Sequence, residues 1–375
     1  MKIAQIAPLY EAVPPQLYGG TERVVAHLCD ALVLLGHEVT LFASAEACTL
    51  AELVPVRDQA IRLDAAPLKS DLAAHLSMLA EVRRMRERFD ILHFHTDMLH
   101  FPLFEDVACR TLTTLHGRLD LKDLPEVYRR WSKFPLVSIS DSQRASLPFA
   151  NWVGTVYHGI PQTLLPPSTR PRGYLAFLGR ISPEKRPDRA IAIARQLNMP
   201  LRIAAKVDPA DTAYFHDQIE PLLDHPLIEY VGEIGDDRKA EFLGGAEALL
   251  FPIDWPEPFG LVMIEAMACG TPVVAFGCGS TPEIIDHGVT GFIVSDEAEA
   301  VLAVEAARGL DRREVRRRFD RRFSATAMAR GYLDIYADRL AHAPFAPDVA
   351  AEAGGEDEPD PARPAAPPPA LARIA

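Results

Sequence analysis

The sequence predicts an α/β protein of two similar domains, each a parallel sheet covered by helices. Three observations carry that prediction. Short apolar runs alternate with amphipathic helical patterns along most of the chain, as in sheets built from strand–helix–strand units. A proline-rich stretch, PQTLLPPSTRPRG from Pro161, interrupts the alternation near the middle. Beyond it the same alternation starts again. A length of 375 residues suits two domains, and with 48% apolar residues each can bury a core.

The first half opens with strand KIAQIA, a loop rich in Pro and Gly, and a helix predicted from Thr21 to about Leu35. Gly36 stops that helix, and strand EVTLFA follows. Further strands are expected at DILHFH (from Asp90), RTLTTLH (Arg110), PLVSIS (Pro135) and GTVYHG (Gly154), with helices such as LAAHLSMLAEVRRMRERF between them. Proline lacks a donor and disfavours helix, so the segment from Pro161 reads as an interdomain linker. The second half then runs strand YLAFLG (Tyr174), a helix after Pro187, strand LRIAA (Leu201), a helix from about Asp211, and strand IEYVG (Ile228). A helix from about Asp236, strand ALLFP (Ala248), a helix near Leu261, strand PVVAF (Pro272) and terminal helices complete it. The expected division is 1–165, 173–322, a last helix at 323–341, and a tail at 342–375. From Glu352 the tail, EAGGEDEPDPARPAAPPPA, is acidic, rich in Pro and Ala and free of aromatics, and is expected to be disordered.

Composition excludes several roles. The net charge of −13 opposes nucleic-acid binding, which rests on basic surface neutralising phosphates. No apolar run approaches the length of a membrane span. The N-terminus begins a strand directly and is expected to carry no secretory leader. Five cysteines (Cys29, Cys48, Cys109, Cys269, Cys278) show no metal-ligand spacing and suit reduced thiols of the cytoplasm. RREVRRRFDRRF from Arg312 carries seven arginines. Its apolar face is thin, so it reads as a solvated helix face rather than a membrane-surface patch, and peripheral membrane contact is not favoured.

Ligands of parallel α/β sheets bind beyond the carboxyl ends of the strands, so the residues just after each strand are the candidates. After the first strand, Gly19 and Gly20 permit close backbone approach, and Thr21 is expected to cap the next helix. In HFHTD, His93 and His95 alternate onto one face, but no further ligands stand at metal spacing. His95 and Asp97 are candidates for hydrogen-bonding a ligand or for finishing the cleft edge. His116 ends another strand, with Gly117 behind it. In the second half Arg180 and Lys185 flank a turn after the strand from Tyr174, two cations suited to a pyrophosphate.

The stretch DWPEPFGLVMIEAMACG from Asp254 is the most informative. Glu257 precedes Pro258 and is held out of the helical region. Gly260 allows a tight entry into a helix from about Leu261 to Ala268, ended by Gly270. The first amides, of Gly260, Leu261 and Val262, point at an anion site. Glu257 lies on the loop before them and Glu265 a turn inside, so one carboxylate is expected on either side of a phosphate. Carboxylates accept hydrogen bonds and match the hydroxyls of a sugar or ribose.

EPFGLVMIE resembles the E-x7-E motif of the retaining glycosyltransferases of family 4, which have the GT-B fold. YGGTERVV resembles that family's glycine loop, TLHG its cleft histidine, SISDSQR its N-domain Ser/Arg element and LGRISPEK its phosphate-binding Arg/Lys pair. GTPVVAFGCGSTPEIIDHGVTGFIV resembles its C-terminal signature. The matches run in family order from about Lys2 to Val294. The resemblance implies two Rossmann-like domains facing a cleft, with a C-terminal helix crossing back to the first. It implies that the second domain binds a nucleotide-diphosphate sugar as co-substrate and the first an acceptor, which the sequence leaves open among sugar, lipid and small molecule. Carried over, Arg180 and Lys185 hold the diphosphate, Glu257 the donor-sugar hydroxyls and Glu265 the ribose. Glu233 and Ile234 flank the base, His116 meets the donor sugar, and Gly19 and Gly20 approach the phosphates. Tyr18, His95, Asp97 and Arg144 are the acceptor-side candidates. The chain departs from the family at Lys206-Val207-Asp208, where a small glycine run is common, and at His158, expected to alter the hinge.

The resemblance further implies a cytoplasmic hexosyltransferase that retains configuration and needs no metal or other cofactor; no D-x-D occurs in the sequence. A retaining glycosidase also needs two carboxylates but has no use for an anion-binding helix start. A nucleotide-sugar epimerase of the same architecture and a non-catalytic nucleotide-sugar binding protein are the alternatives.

Overall fold

The computed structural model of the chain describes residues 1–16 and 19–342. The tail from Ala343 onward, and the candidate Tyr18, lie outside the described residues. The first sheet consists of β1 (Lys2–Ile6), β2 (Glu38–Ser44), β3 (Glu52–Arg57), β4 (Ile91–Phe94), β5 (Thr111–Thr114), β6 (Leu136–Ser138) and β7 (Trp152–Thr155). All its pairs are parallel, in the order β3-β2-β1-β4-β5-β6-β7. The second sheet, β8 (Tyr174–Arg180), β9 (Leu201–Lys206), β10 (Ile228–Gly232), β11 (Ala246–Phe251), β12 (Val273–Phe276) and β13 (Gly291–Val294), repeats the pattern as β10-β9-β8-β11-β12-β13. In each sheet the winding reverses beside the first strand, between β1 and β4 and between β8 and β11, and such reversals open a crevice at the strand ends.

Strand β12 is buried on both faces, which is why it reads as a continuous apolar run. The helices Gly20–Leu34 and Ala325–His342 cover one face of the first sheet, through Val24, Leu28 and Leu32 against Met328, Tyr332 and Tyr336. The other face packs Met78, Leu79 and Val82 of helix Asp71–Met85 with Phe42, Phe94 and Phe101. Helix Leu261–Ala268 and helix Arg312–Arg322 share a core on the second sheet, with Ile264, Met267, Val315 and Phe319. The helix after the last arginines thus leaves the second domain and seals the first, the crossing that the sequence resemblance implies. Among the described residues no helix is long and apolar enough to cross a membrane.

Two edge strands, β3 and β13, were not expected. Each pairs on one side only, so burial does not impose a clear pattern on it, and Pro55 inside β3 is tolerated only at an edge. The helix expected from Asp211 breaks into Thr212–Tyr214, a π segment Phe215–Ile219, and Glu220–Leu223, where Pro221 has no N–H to give. The first helix starts one residue early, with Gly19 at its cap and no side-chain bond there, so Thr21 lies in the first turn and does not cap.

The arginine run is only partly a solvated face. Arg312 donates to the carbonyls of Ser168, Ala246 and Gly244, and Arg316 to those of Gln162, Leu165 and Ala268. Those two guanidiniums fasten the proline-rich linker to the second domain. Arg317, Arg318 and Arg321 pair with Glu314 at the surface.

The chain passes between the domains twice, and the two passages touch. Ile160 donates to the carbonyl of Phe323 at 3.0 Å and accepts from the amide of Ala325 at 2.9 Å. A Cβ on Gly159 would lie 2.4 Å from the carbonyl oxygen of Ser324, so only glycine fits.

Candidate active site

The strand ends of the two sheets enclose a cleft of about 340 Å³. On its second-domain side, Pro258 and Gly260 shape the entry to helix Leu261–Ala268. Gly260 has φ 80, and a Cβ there would meet Met263 and Phe251. The first amides of that helix have no intrahelical acceptor and carry the positive end of its dipole toward the cleft. The loop before it is braced from behind: Ser280 donates its amide to the carbonyl of Glu257 at 2.9 Å and its hydroxyl to that of Phe259 at 2.8 Å.

Each glutamate of the E-x7-E stretch holds a lysine. Lys185 and the Trp255 indole (3.0 Å) both donate to Oε2 of Glu257. The Lys185 ammonium also lies 5.1 Å from the centroid of Trp255. Glu265 is buried, and its Oε1 accepts from Lys239 at 2.7 Å. Lys239 reaches Asp236 at 3.2 Å, and Asp236 pairs with Arg23 of the first domain. Burial opposes the charge on Lys239 and is the largest single influence, but Glu265 and Asp236 together outweigh it and its pKa is raised. A ladder of alternating charge, Glu265, Lys239, Asp236, Arg23, thereby bridges the cleft. Arg180 is likewise matched, donating to Glu184 at 2.8 Å and Asp208 at 3.2 Å, and Lys206 lies 2.9 Å from Asp208. Burial would raise the Asp208 carboxyl, yet the bonds from Lys206 and Arg180 hold it below its usual range.

Around His116 the first-domain side carries neutral groups, with Arg23 and Arg118 at its margins. Gly19, Gly20, His116, Gly117, Ile139 and His158 line it. Gln143 positions His116 by donating to the carbonyls on either side of it, Leu115 at 2.9 Å and Gly117 at 2.8 Å. His116 and His158 stack, with ring centroids 5.1 Å apart. Burial pushes the His116 pKa down to about 3 and that of His158 well below its ordinary value. Arg118 reaches across to within 5.9 Å of the Trp255 ring centroid.

Of the residues expected at the site, Gly19, Gly20, His116, Arg180, Lys185, Glu233, Ile234, Glu257, Gly260, Leu261, Val262 and Glu265 all line this one cleft. Three acceptor-side candidates do not. His95 is buried behind the wall, bonded to His116 and Gln5 at 2.8 Å each. Asp97 is exposed at φ 49, and Arg144 packs beside Asp141, Thr155 and Trp152. His95 fails because the face it shares with His93 is the one the crossing helix covers. His158 lines the cleft next to the Gly159 passage, 4.9 Å from the Phe259 ring centroid. Lys239, Arg23, Gln143 and Trp255 were not foreseen. Lys239 and Gln143 sit on helices where a polar residue reads as solvated, and only the packing of distant segments gives them partners.

Residues 18–156 match the family Glycosyltransferase Family 4, and residues 167–324 match Glycosyl transferases group 1. The D-inositol 3-phosphate glycosyltransferase of Streptomyces griseus is 30% identical over 201 residues, 46% of this chain and 38% of that protein. The one from Saccharomonospora viridis is 34% identical over 191 residues, 44% and 43% of the two chains. The matched stretch thus spans about two fifths of these relatives. Among solved structures, the avilamycin A biosynthesis glycosyltransferase AviGT4 superposes with TM-score 0.70 at 24% identity, covering 91% of this chain and 98% of its own. Sucrose-phosphate synthase of Thermosynechococcus elongatus gives 0.73 at 19%, covering 91% and 99%. Anabaena HepE in complex with UDP and glucose gives 0.69 at 18%, covering 90% and 100%.

Proposed function

The chain belongs to the group 1 glycosyltransferases of family 4, and from that premise we propose that it moves a hexosyl group from a nucleotide-diphosphate sugar to an acceptor hydroxyl, with retention and without a metal ion. The observation that carries this reading is the helix start at Gly260, whose amides lie between two lysine–glutamate pairs in one cleft. The diphosphate takes the amides of Gly260, Leu261 and Val262, with Lys185 and Arg180 beside them. These groups hold the charge that develops on the leaving diphosphate. Lys185, now paired with Glu257, shares its protons with the diphosphate. That frees Glu257 to accept from donor-sugar hydroxyls and to favour the positive charge growing on the sugar ring. Glu265, fixed by Lys239, accepts from the ribose hydroxyls, and Glu233 and Ile234 flank the base. His116 meets the sugar from the first domain. Attack comes from the face of the leaving group, whose phosphate takes the acceptor proton, so neither glutamate serves as a general base. HepE, solved with UDP and glucose, lends support to a nucleotide-sugar donor.

The test is turnover of UDP-, GDP- and ADP-sugars with EDTA present, the product anomer being read by NMR. Transfer with retained configuration is expected. Loss of turnover on chelation defeats metal independence, and an inverted product defeats retention. Conversion of the donor's sugar without any acceptor identifies an epimerase instead.

A further inference from the structure

The first sheet places polar side chains where both faces are covered. Gln5 on β1, His93 on β4, His95 just beyond it and Thr114 on β5 are all buried. Tyr332 and Tyr336, one turn apart on the crossing helix, are buried against them. The six form one chain of bonds that ends on the cleft histidine. The Tyr332 hydroxyl lies 2.9 Å from that of Thr114, which lies 2.8 Å from Nε2 of His93. Nδ1 of His93 lies 2.7 Å from the Tyr336 hydroxyl, which accepts from Nε2 of Gln5 at 3.1 Å. Oε1 of Gln5 meets Nε2 of His95, and Nδ1 of His95 meets Nε2 of His116, each at 2.8 Å. Nδ1 of His116 is buried and has no partner among the described residues.

Burial drives these imidazoles to the neutral form. A neutral imidazole donates through one nitrogen and accepts through the other. One choice therefore propagates along the chain. With the Gln5 amide nitrogen spent on Tyr336, its oxygen must take the proton of His95 Nε2. His95 Nδ1 then accepts from His116 Nε2–H, and His116 Nδ1 is left as a bare lone pair.

We propose that Gln5, oriented by Tyr336 of the crossing helix, sets the tautomer of His116 through His95, so that the cleft histidine offers its ligand a hydrogen-bond acceptor suited to a sugar hydroxyl and not to a phosphate oxygen. Gln5, His95 and Tyr336 are positioning residues; none of them lines the cleft. The identity of the ligand rests on the glycosyltransferase reading, whereas the tautomer does not. The crossing helix is then more than a cover: it carries the root of the wire.

The test reads the tautomer directly, by NMR of histidine-¹⁵N-labelled full chain. Wild-type His116 is expected to show an unprotonated Nδ1 and a protonated Nε2; the reverse overturns the proposal. Gln5→Met keeps the volume and removes both bonds. It is expected to give a mixture of His116 tautomers and to lower kcat with the nucleotide sugar about tenfold, the worth of one neutral hydrogen bond. Affinity for the free nucleoside diphosphate should stay unchanged. A single wild-type tautomer in Gln5→Met overturns the proposal, and so does an equal loss of nucleotide affinity. If Gln5→Met does not fold, Tyr336→Phe removes only the anchoring hydroxyl and must also mix the tautomers. A chain with the expected tautomer but no sugar transfer defeats the function proposed above and leaves the relay standing.

Discussion

The two sheets share a strand order but meet the cleft with opposite chemistry. The second presents Arg180, Lys185, Lys206 and Lys239, each matched to a carboxylate. The first presents histidines kept neutral by burial and backed by amide and hydroxyl groups. The scaffold therefore sets where the walls stand, and the few side chains after each strand set what each wall can hold. A charged wall with a helix start suits a diphosphate. A neutral histidine patch that donates and accepts, with the charges of Arg23 and Arg118 beside it, suits hydroxyls.

Acid should break this division most severely. Burial lowers the pKa of His27 to about 4 and of His116 to about 3, and moves His93, His95, His100 and His158 in the same direction. Below pH 6.5 the unfolded chain takes up protons that the folded one refuses. Stability is thus full above 6.5 and falls as pH drops toward 4 and 3. Each depressed histidine costs roughly 2 kcal/mol at pH 5, and all six lie in the first half of the chain. Thermal unfolding from pH 7.5 to 5 is expected to show a steep fall in Tm. A flat profile would mean that these histidines are not held neutral.

The charged wall should break by losing one partner. Lys239→Met leaves buried Glu265 without its cation, while Asp236 keeps Arg23, and should cost about 3–5 kcal/mol, read by denaturant unfolding. Adding Glu265→Gln should restore part of that loss. Lys185→Ala is expected to lower kcat/KM for the nucleotide sugar about a hundredfold to a thousandfold, because a fixed charge near the leaving group is removed. Glu265→Gln should weaken free nucleoside-diphosphate binding about tenfold to a hundredfold, measured by calorimetry. Glu257→Gln should have the smallest effect in that calorimetry, almost none, while lowering turnover. Equal affinity losses for the two glutamine variants would merge the roles that the cleft keeps apart.

The charged wall was legible because its signals are local. Pro258, Gly260 and Gly270 mark the start and stop of one helix, and the helix came out at Leu261–Ala268 as expected. The alternation of strands and helices likewise gave the two parallel sheets, apart from the edge strands β3 and β13. The neutral wall was harder to read. His93 and His95 do share a face, with ring centroids 4.2 Å apart, but nothing nearby in sequence says that a helix more than 230 positions later covers it. Gln5 looks like an ordinary strand residue until Tyr336 arrives. Lys239 and Glu265 stand 26 positions apart and meet only because their helices pack side by side.

The paired passage at Gly159 and Ser324 has a mechanical consequence. Two bodies joined by a single strand can swivel about three axes. Here two strands run side by side, bonded to each other through Ile160, Phe323 and Ala325. Twisting one body against the other would shear those bonds, whereas bending about a line through the junction leaves them intact. The paired passage therefore resists a twist more than a flap about the junction.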